Sequence, residues 1–149
     1  MGIIFVFIGG ATGALFRYMI LKIFGGYPYN IIGIFCVNLL GCFIIGFISY
    51  MALKRNHIIG TELKKFFTVG LAGGLTTFSA FSFDTLNLIL NHHYMIGLLN
   101  LFSSVILGLI FVAWGMNTGY YLLNYLLHKK RLKFRQEKTF WWKNYCLFY

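Results

Sequence analysis

The sequence predicts an all-α membrane protein with four transmembrane helices, the third broken near its middle. Three observations carry that prediction. Of 149 residues, 59% are hydrophobic and 11% charged, where a soluble domain has about a quarter charged. Four apolar runs, 2–24, 31–53, 66–90 and 94–127, each reach the roughly 20 residues that a helix needs to cross a bilayer. The third run holds GLAGGLTTFSAFSFDT at 70–85, more glycine and hydroxyl than filling lipid requires.

The first run, MGIIFVFIGGATGALF, has no positive segment at its start and reads as a retained span, not a cleaved signal. Gly9, Gly13 and Arg17 recur four apart along it. Tyr27, Pro28, Tyr29 and Asn30 mark the turn to the second run, where Asn38, Cys42, Gly46 and Ser49 share a face. KRNHIIGTELKK forms the second loop and Asn91, His92 and His93 the third. Neighbouring histidines point apart on a helix, so the pair reads as a wet loop more readily than as metal ligands. In the fourth run Asn100, Ser104, Gly108 and Gly115 repeat the small-polar stripe.

Small residues at this spacing let helix backbones approach closely, which accounts for most of the glycines. Arg17 and Asn38 need more, because polar side chains in lipid are costly unless they face protein or water. Arg17 can snorkel to the interface or tie helix carbonyls from inside the bundle. Asn38, deeper, reads as pore-lining or helix-bridging.

The net charge of +10 does not point to nucleic acid, because the basic residues sit at the ends of apolar runs and in the tail. Cys36, Cys42 and Cys146 form neither a disulfide framework nor a CxxC metal motif. Residues 1–128 read as one transmembrane domain, and 129–149, KKRLKFRQEKTFWWKNYCLFY, as a basic, aromatic cytoplasmic tail. The Lys129–Arg135 cluster reads either as a contact with anionic headgroups or as a solvated tail.

The third run carries the chemistry. Gly73 and Gly74 followed by Thr76 and Thr77 favour a helix break, since glycine disfavours helix and threonine hydroxyls compete for backbone partners. A break at membrane depth frees carbonyls that suit a cation, while the half-helix beyond it presents N–H groups that suit an anion. Phe78 and Phe81 lie three apart, with Thr77, Ser79 and Ser82 beside them. Ring edges are electropositive. Edges and hydroxyls together can pass a small hard anion without a fixed charge to trap it; core packing is the plainer reading of the two rings.

These residues resemble the fluoride channels called CrcB or Fluc. The resemblance covers the four spans and rests on GGATGALFRY at 9–18, VNLLGCFIIGF at 37–47 and GLAGGLTTFSAFSFD at 70–84, with a weaker echo in NLFSSVILGLIFVAWG at 100–115. It implies an antiparallel dimer with a structural sodium ion (Na+) at its centre, held by the carbonyls of Gly73 and Thr76 beside Gly74. It implies fluoride pathways through Asn38, Thr77, Phe78, Ser79, Phe81 and Ser104, with Arg17 structural. It departs from the family's usual pattern at Ala80 and Ile34, where threonine is usual, at Asp84, where glutamate is common, and in the tail.

The expected function is thus a passive, fluoride-selective channel in the cell membrane that exports cytoplasmic fluoride and lowers its toxicity. No enzyme is expected, for no nucleophile–base set is evident. A four-span drug exporter is the nearest alternative, but the first run lacks the embedded glutamate of that class. A non-transporting assembly subunit is the other. Lys54, Arg55, Lys64, Lys65 and seven tail residues lie on one side, against Lys22 and Arg17 on the other. That bias places both termini in the cytoplasm. A single fixed orientation conflicts with an antiparallel homodimer, so the expected partner is an oppositely oriented paralogue, with the homodimer as alternative.

Overall fold

The computed structural model describes residues 2–24, 30–54 and 60–145, with 53–54 and 130–145 as backbone only. The elements run α1 (Gly2–Ile23), α2 (Ile31–Lys54), α3 (Thr61–Lys65), a π-helical segment (Phe66–Ala72), α4 (Gly73–Leu75), α5 (Phe78–Leu90) and α6 (Tyr94–Tyr145). The described residues are all-helical, with no strand among them. Among the described residues four stretches are long and apolar enough to span a membrane: Gly2–Ile23, Ile31–Ala52, Thr61–Leu90 and Tyr94–Lys129. The third starts earlier than the apolar run because TELKK is already helical, with Glu62 in its first turn and a 3.3 Å Glu62–Lys65 ion pair. The expected Tyr27–Tyr29 turn lies outside the described residues.

The chain divides into two compact units, Met1–Gly119 and Tyr120–Tyr149. Within the second, the chain is helical to Tyr145. The first holds the bundle and everything that follows here.

One close seam sets α1 against the π-helical segment and α4, backbone to backbone. A Cβ on Gly9 would stand 2.5 Å from the Phe66 carbonyl oxygen, and one on Gly70 2.9 Å from Gly9 Cα. A Cβ on Gly13 would overlap the Leu71 carbonyl and come within 2.8 Å of Leu75 N. No side chain fits there, which is what small residues four apart achieve in lipid.

Three polar devices close the ends of the unit. Asn30 accepts from Gly33 N (2.9 Å) and donates to the Leu21 carbonyl (2.5 Å), so one side chain starts α2 and finishes α1. His92, with φ 63°, ends α5: His92 N donates to Ile89 O and His93 N to Leu88 O, the paired bonds of a Schellman turn. Buried Asn100 on α6 donates to Thr85 Oγ1 on α5 at 2.8 Å. Leu21, Ile34 and Phe81 pack together inside, while large apolar side chains such as Ile3, Phe7 and Leu109 face outward. An apolar exterior is what lipid as solvent requires.

Candidate ion site

Inside the third span the backbone leaves the helix for two residues. Thr76 has φ −78°, ψ 154° and Thr77 φ −150°, ψ 112°, both extended, between α4 and α5. Each peptide group freed by this change must find a partner at membrane depth. Thr76 N still donates to the Ala72 carbonyl (3.0 Å), which the Thr76 hydroxyl also reaches (2.9 Å).

Thr77 takes its partners from α2. Its N–H donates to Asn38 Oδ1 at 2.8 Å, and Asn38 Nδ2 faces its carbonyl at 3.4 Å. The asparagine amide thus stands in for a missing peptide of the ladder. In an unbroken helix the Thr77 N–H would close on the Gly73 carbonyl; here it is turned to Asn38, and Gly73 loses that donor. Gly73 is exposed, with open space where a Cβ would stand. Gly74, by contrast, lies against α1, where a Cβ would come within 3.0 Å of Gly10 Cα.

Arg17 of α1 supplies the partner of Thr76: Nη1 donates to the Thr76 carbonyl at 3.2 Å. Among the described residues no carboxylate lies within ion-pair distance of this guanidinium. Of the two readings of Arg17, these contacts are those of the interior tie. Asn38 makes the contacts of a helix bridge.

α5 then restarts. The Thr77 hydroxyl accepts from Ala80 N (3.3 Å) as its N-cap and lies 3.1 Å from the Ser79 hydroxyl. Ser79 is exposed, and Ser82 donates back to the Phe78 carbonyl (2.9 Å). Phe78 and Phe81 have ring centroids 5.7 Å apart at 45°. Their surroundings differ sharply: Phe78 is 80% exposed, Phe81 only 7%. The structure therefore gathers Arg17, Asn38, Gly73, Thr76, Thr77 and Ser79 about one interruption, with Phe78 projecting from it. Ser104 on α6 is not tied in; its buried hydroxyl has no hydrogen-bond partner among the described residues.

Gly41 escaped sequence reasoning, and Asp84, noted there as a departure, was given no role. Gly41, buried on α2, leaves the space that the Thr76 side chain fills, since a Cβ there would overlap Thr76 Cγ2. Its spacing of three from Asn38 was the available signal. Asp84, 3% exposed, lines a cavity of about 420 Å³ with Ile31, Asn87, Leu88, Asn91 and His93. One of its oxygens is buried without a hydrogen-bond partner. A lone acid in an apolar run was its signal, but nothing in the sequence assigns it a role.

The family described as CrcB-like protein, Camphor Resistance, matches residues 4–116, from α1 through the interrupted span and into α6. The chain belongs to the CrcB family. Its relatives include the fluoride-specific ion channel FluC of Helicobacter pylori strain J99, 38% identical over 124 residues, which cover 77% of this chain and 92% of the relative. That of Geotalea daltonii is 36% identical over 126 residues, 80% of this chain and 98% of the relative. That of Helicobacter acinonychis strain Sheeba is 37% identical over 124 residues, 77% and 94%. The CrcB match spans the whole interrupted site and stops at residue 116, short of the basic tail.

Proposed function

We propose that this CrcB-family chain is a passive fluoride-selective channel, not an enzyme, and that it works as an antiparallel dimer. The observation that carries this reading is the Thr76–Thr77 interruption. Its peptide groups are held by Asn38 and Arg17 while Phe78 and Ser79 face outward beside it. The names of its relatives give the ion.

On this reading fluoride exchanges its water for hydroxyl donors and ring edges around Thr77, Phe78 and Ser79, with Phe81 behind, Asn38 alongside and Ser104 further on. Such donors replace the hydration shell without a full charge to trap the ion. The membrane potential supplies the drive, about 2.3 kcal/mol per charge per 100 mV, and no coupling machinery is needed. Phe78 and Gly73, both exposed in the single chain, are the residues that a second subunit would cover.

The carbonyls of Gly73 and Thr76 suit a structural sodium ion between two such subunits. Gly73 O has lost its helical donor, and Thr76 O spends one of two lone pairs on Arg17. Both are hard oxygen donors at a half-helix C-terminus, where transporters hold sodium. When bound, the ion supplies positive charge that neutralises these carbonyl dipoles at the subunit contact.

The charge bias supports cytoplasmic termini, a multi-pass cell-membrane location and an oppositely oriented paralogue as partner. The tail after 128 is proposed to meet anionic headgroups. The test is fluoride efflux from liposomes holding this chain alone, with topology reporters on both termini. Fluoride efflux with no chloride efflux, once the partner is added, is the expected result. No fluoride efflux with either partner arrangement would overturn the channel reading; full activity of this chain alone, with equal inward and outward populations, would replace the paralogue with a homodimer.

A further inference from the structure

We propose that Arg17 is a built-in competitor of the cation at the Gly73–Thr76 carbonyls, and that its charge sets how weakly that cation binds. The inference rests on the sodium reading above and adds a role for this chain's own arginine.

The geometry is direct. Arg17 Nη1 lies 3.2 Å from the Thr76 carbonyl oxygen, so a cation on the other lone pair would stand about 6 Å from the guanidinium. Among the described residues no carboxylate lies within ion-pair distance of Arg17 to offset it. The side chain is half-buried within the first span, where water screens poorly. At an effective dielectric of about 20, two like charges at that separation change a dissociation constant on the order of a hundredfold.

The same contact has a use before assembly. An extended Thr76 leaves its carbonyl without the helical donor Ala80 N, which caps on Thr77 Oγ1, and a tethered guanidinium satisfies it without an ion or a partner. Arg17 thus holds the site in the single chain and resists the cation afterwards. It is a positioning residue for Thr76 and lies outside the proposed anion path.

The experiment follows thermal unfolding of the assembled dimer in detergent, this chain with its partner or with itself, whichever conducts fluoride, while sodium replaces N-methylglucamine at constant ionic strength. A ligand that binds only the folded state raises the midpoint with its concentration, so the titration reads affinity without any flux. Arg17→Gln keeps a donor and removes the charge; the half-saturating sodium should fall at least about tenfold. Arg17→Lys keeps the charge and should stay within about twofold of wild type. Should Arg17→Gln fail to fold, Arg17→His changes charge between about pH 5 and 8, and its sodium requirement should rise on acidification while that of wild type does not. An unchanged or higher sodium requirement in Arg17→Gln, or no pH effect in Arg17→His, overturns the proposal. Sodium stabilising Arg17→Gln but not wild type supports it in its strongest form. No sodium response in any variant removes the cation reading itself, and the competitor with it.

Discussion

Removing the Asn38 amide is the sharpest test of how the interrupted span is held. Asn38→Ala takes away the partners of both Thr77 backbone groups. The N–H bond, at 2.8 Å, is well made, and losing it leaves a donor unpaired at a cost of about 1–3 kcal/mol. The carbonyl contact, at 3.4 Å, is long and adds less, and double-mutant cycles on polar contacts in membrane helices average only about 0.6 kcal/mol. Asn38 is half-buried, which keeps the sum near the low end, about 2 kcal/mol. That is roughly a thirtyfold shift in the folded fraction. Asn38→Asp separates holding from conducting: it keeps the acceptor for Thr77 N–H but turns the other oxygen toward the Thr77 carbonyl, and its charge opposes an anion nearby. We expect Asn38→Ala to lower the thermal midpoint and slow fluoride efflux, and Asn38→Asp to abolish efflux with a smaller loss of stability. The assays are thermal unfolding by size-exclusion in detergent and a fluoride electrode outside loaded liposomes. Wild-type stability in Asn38→Ala would refute the bridging role; undiminished efflux in Asn38→Asp would place Asn38 outside the path.

Phe78→Ile and Phe81→Ile should both slow fluoride efflux, because isoleucine lacks a positive ring edge. Only Phe81→Ile, in the packed interior, should also cost about 1 kcal/mol of stability, and equal effects on stability would contradict their opposite burial. Gly13→Ala forces a methyl into the Leu71 carbonyl and should lose about 1–3 kcal/mol, while Gly10→Ala, where nothing lies within 4 Å, should be tolerated; equal midpoints for the two would deny the backbone seam. His92→Gly relieves a side chain held at φ 63° and should raise stability by about 0.5–1 kcal/mol with efflux unchanged, so a lower midpoint would show that the 2.9 Å His92–Tyr94 contact outweighs the strain.

The sequence alone determined the four spans and the membrane class, because hydropathy over about 20 residues is a property of the chain itself. It also determined the family, through runs such as GGLTTFS whose composition no lipid-filling helix needs. The Gly9–Gly13 spacing told that some helix comes close, but not that its partner would be a π-helical segment beginning at Phe66. What the tertiary structure decided is who meets whom. Thr77 finds its peptide substitute 39 residues away on α2, and Thr76 its donor 59 residues away on α1. No periodicity carries those pairings, for they depend on how two other helices are rotated about their axes. Phe78 and Phe81 show the same limit: spacing of three puts both on neighbouring parts of one helix surface, yet only the packing of Leu21 and Ile34 buries one and leaves the other outside. His92 was legible as a loop residue but not as the left-handed cap, a position glycine usually takes. Local propensity proposes where a helix can yield; the partners that make yielding tolerable in lipid come from elsewhere in the chain.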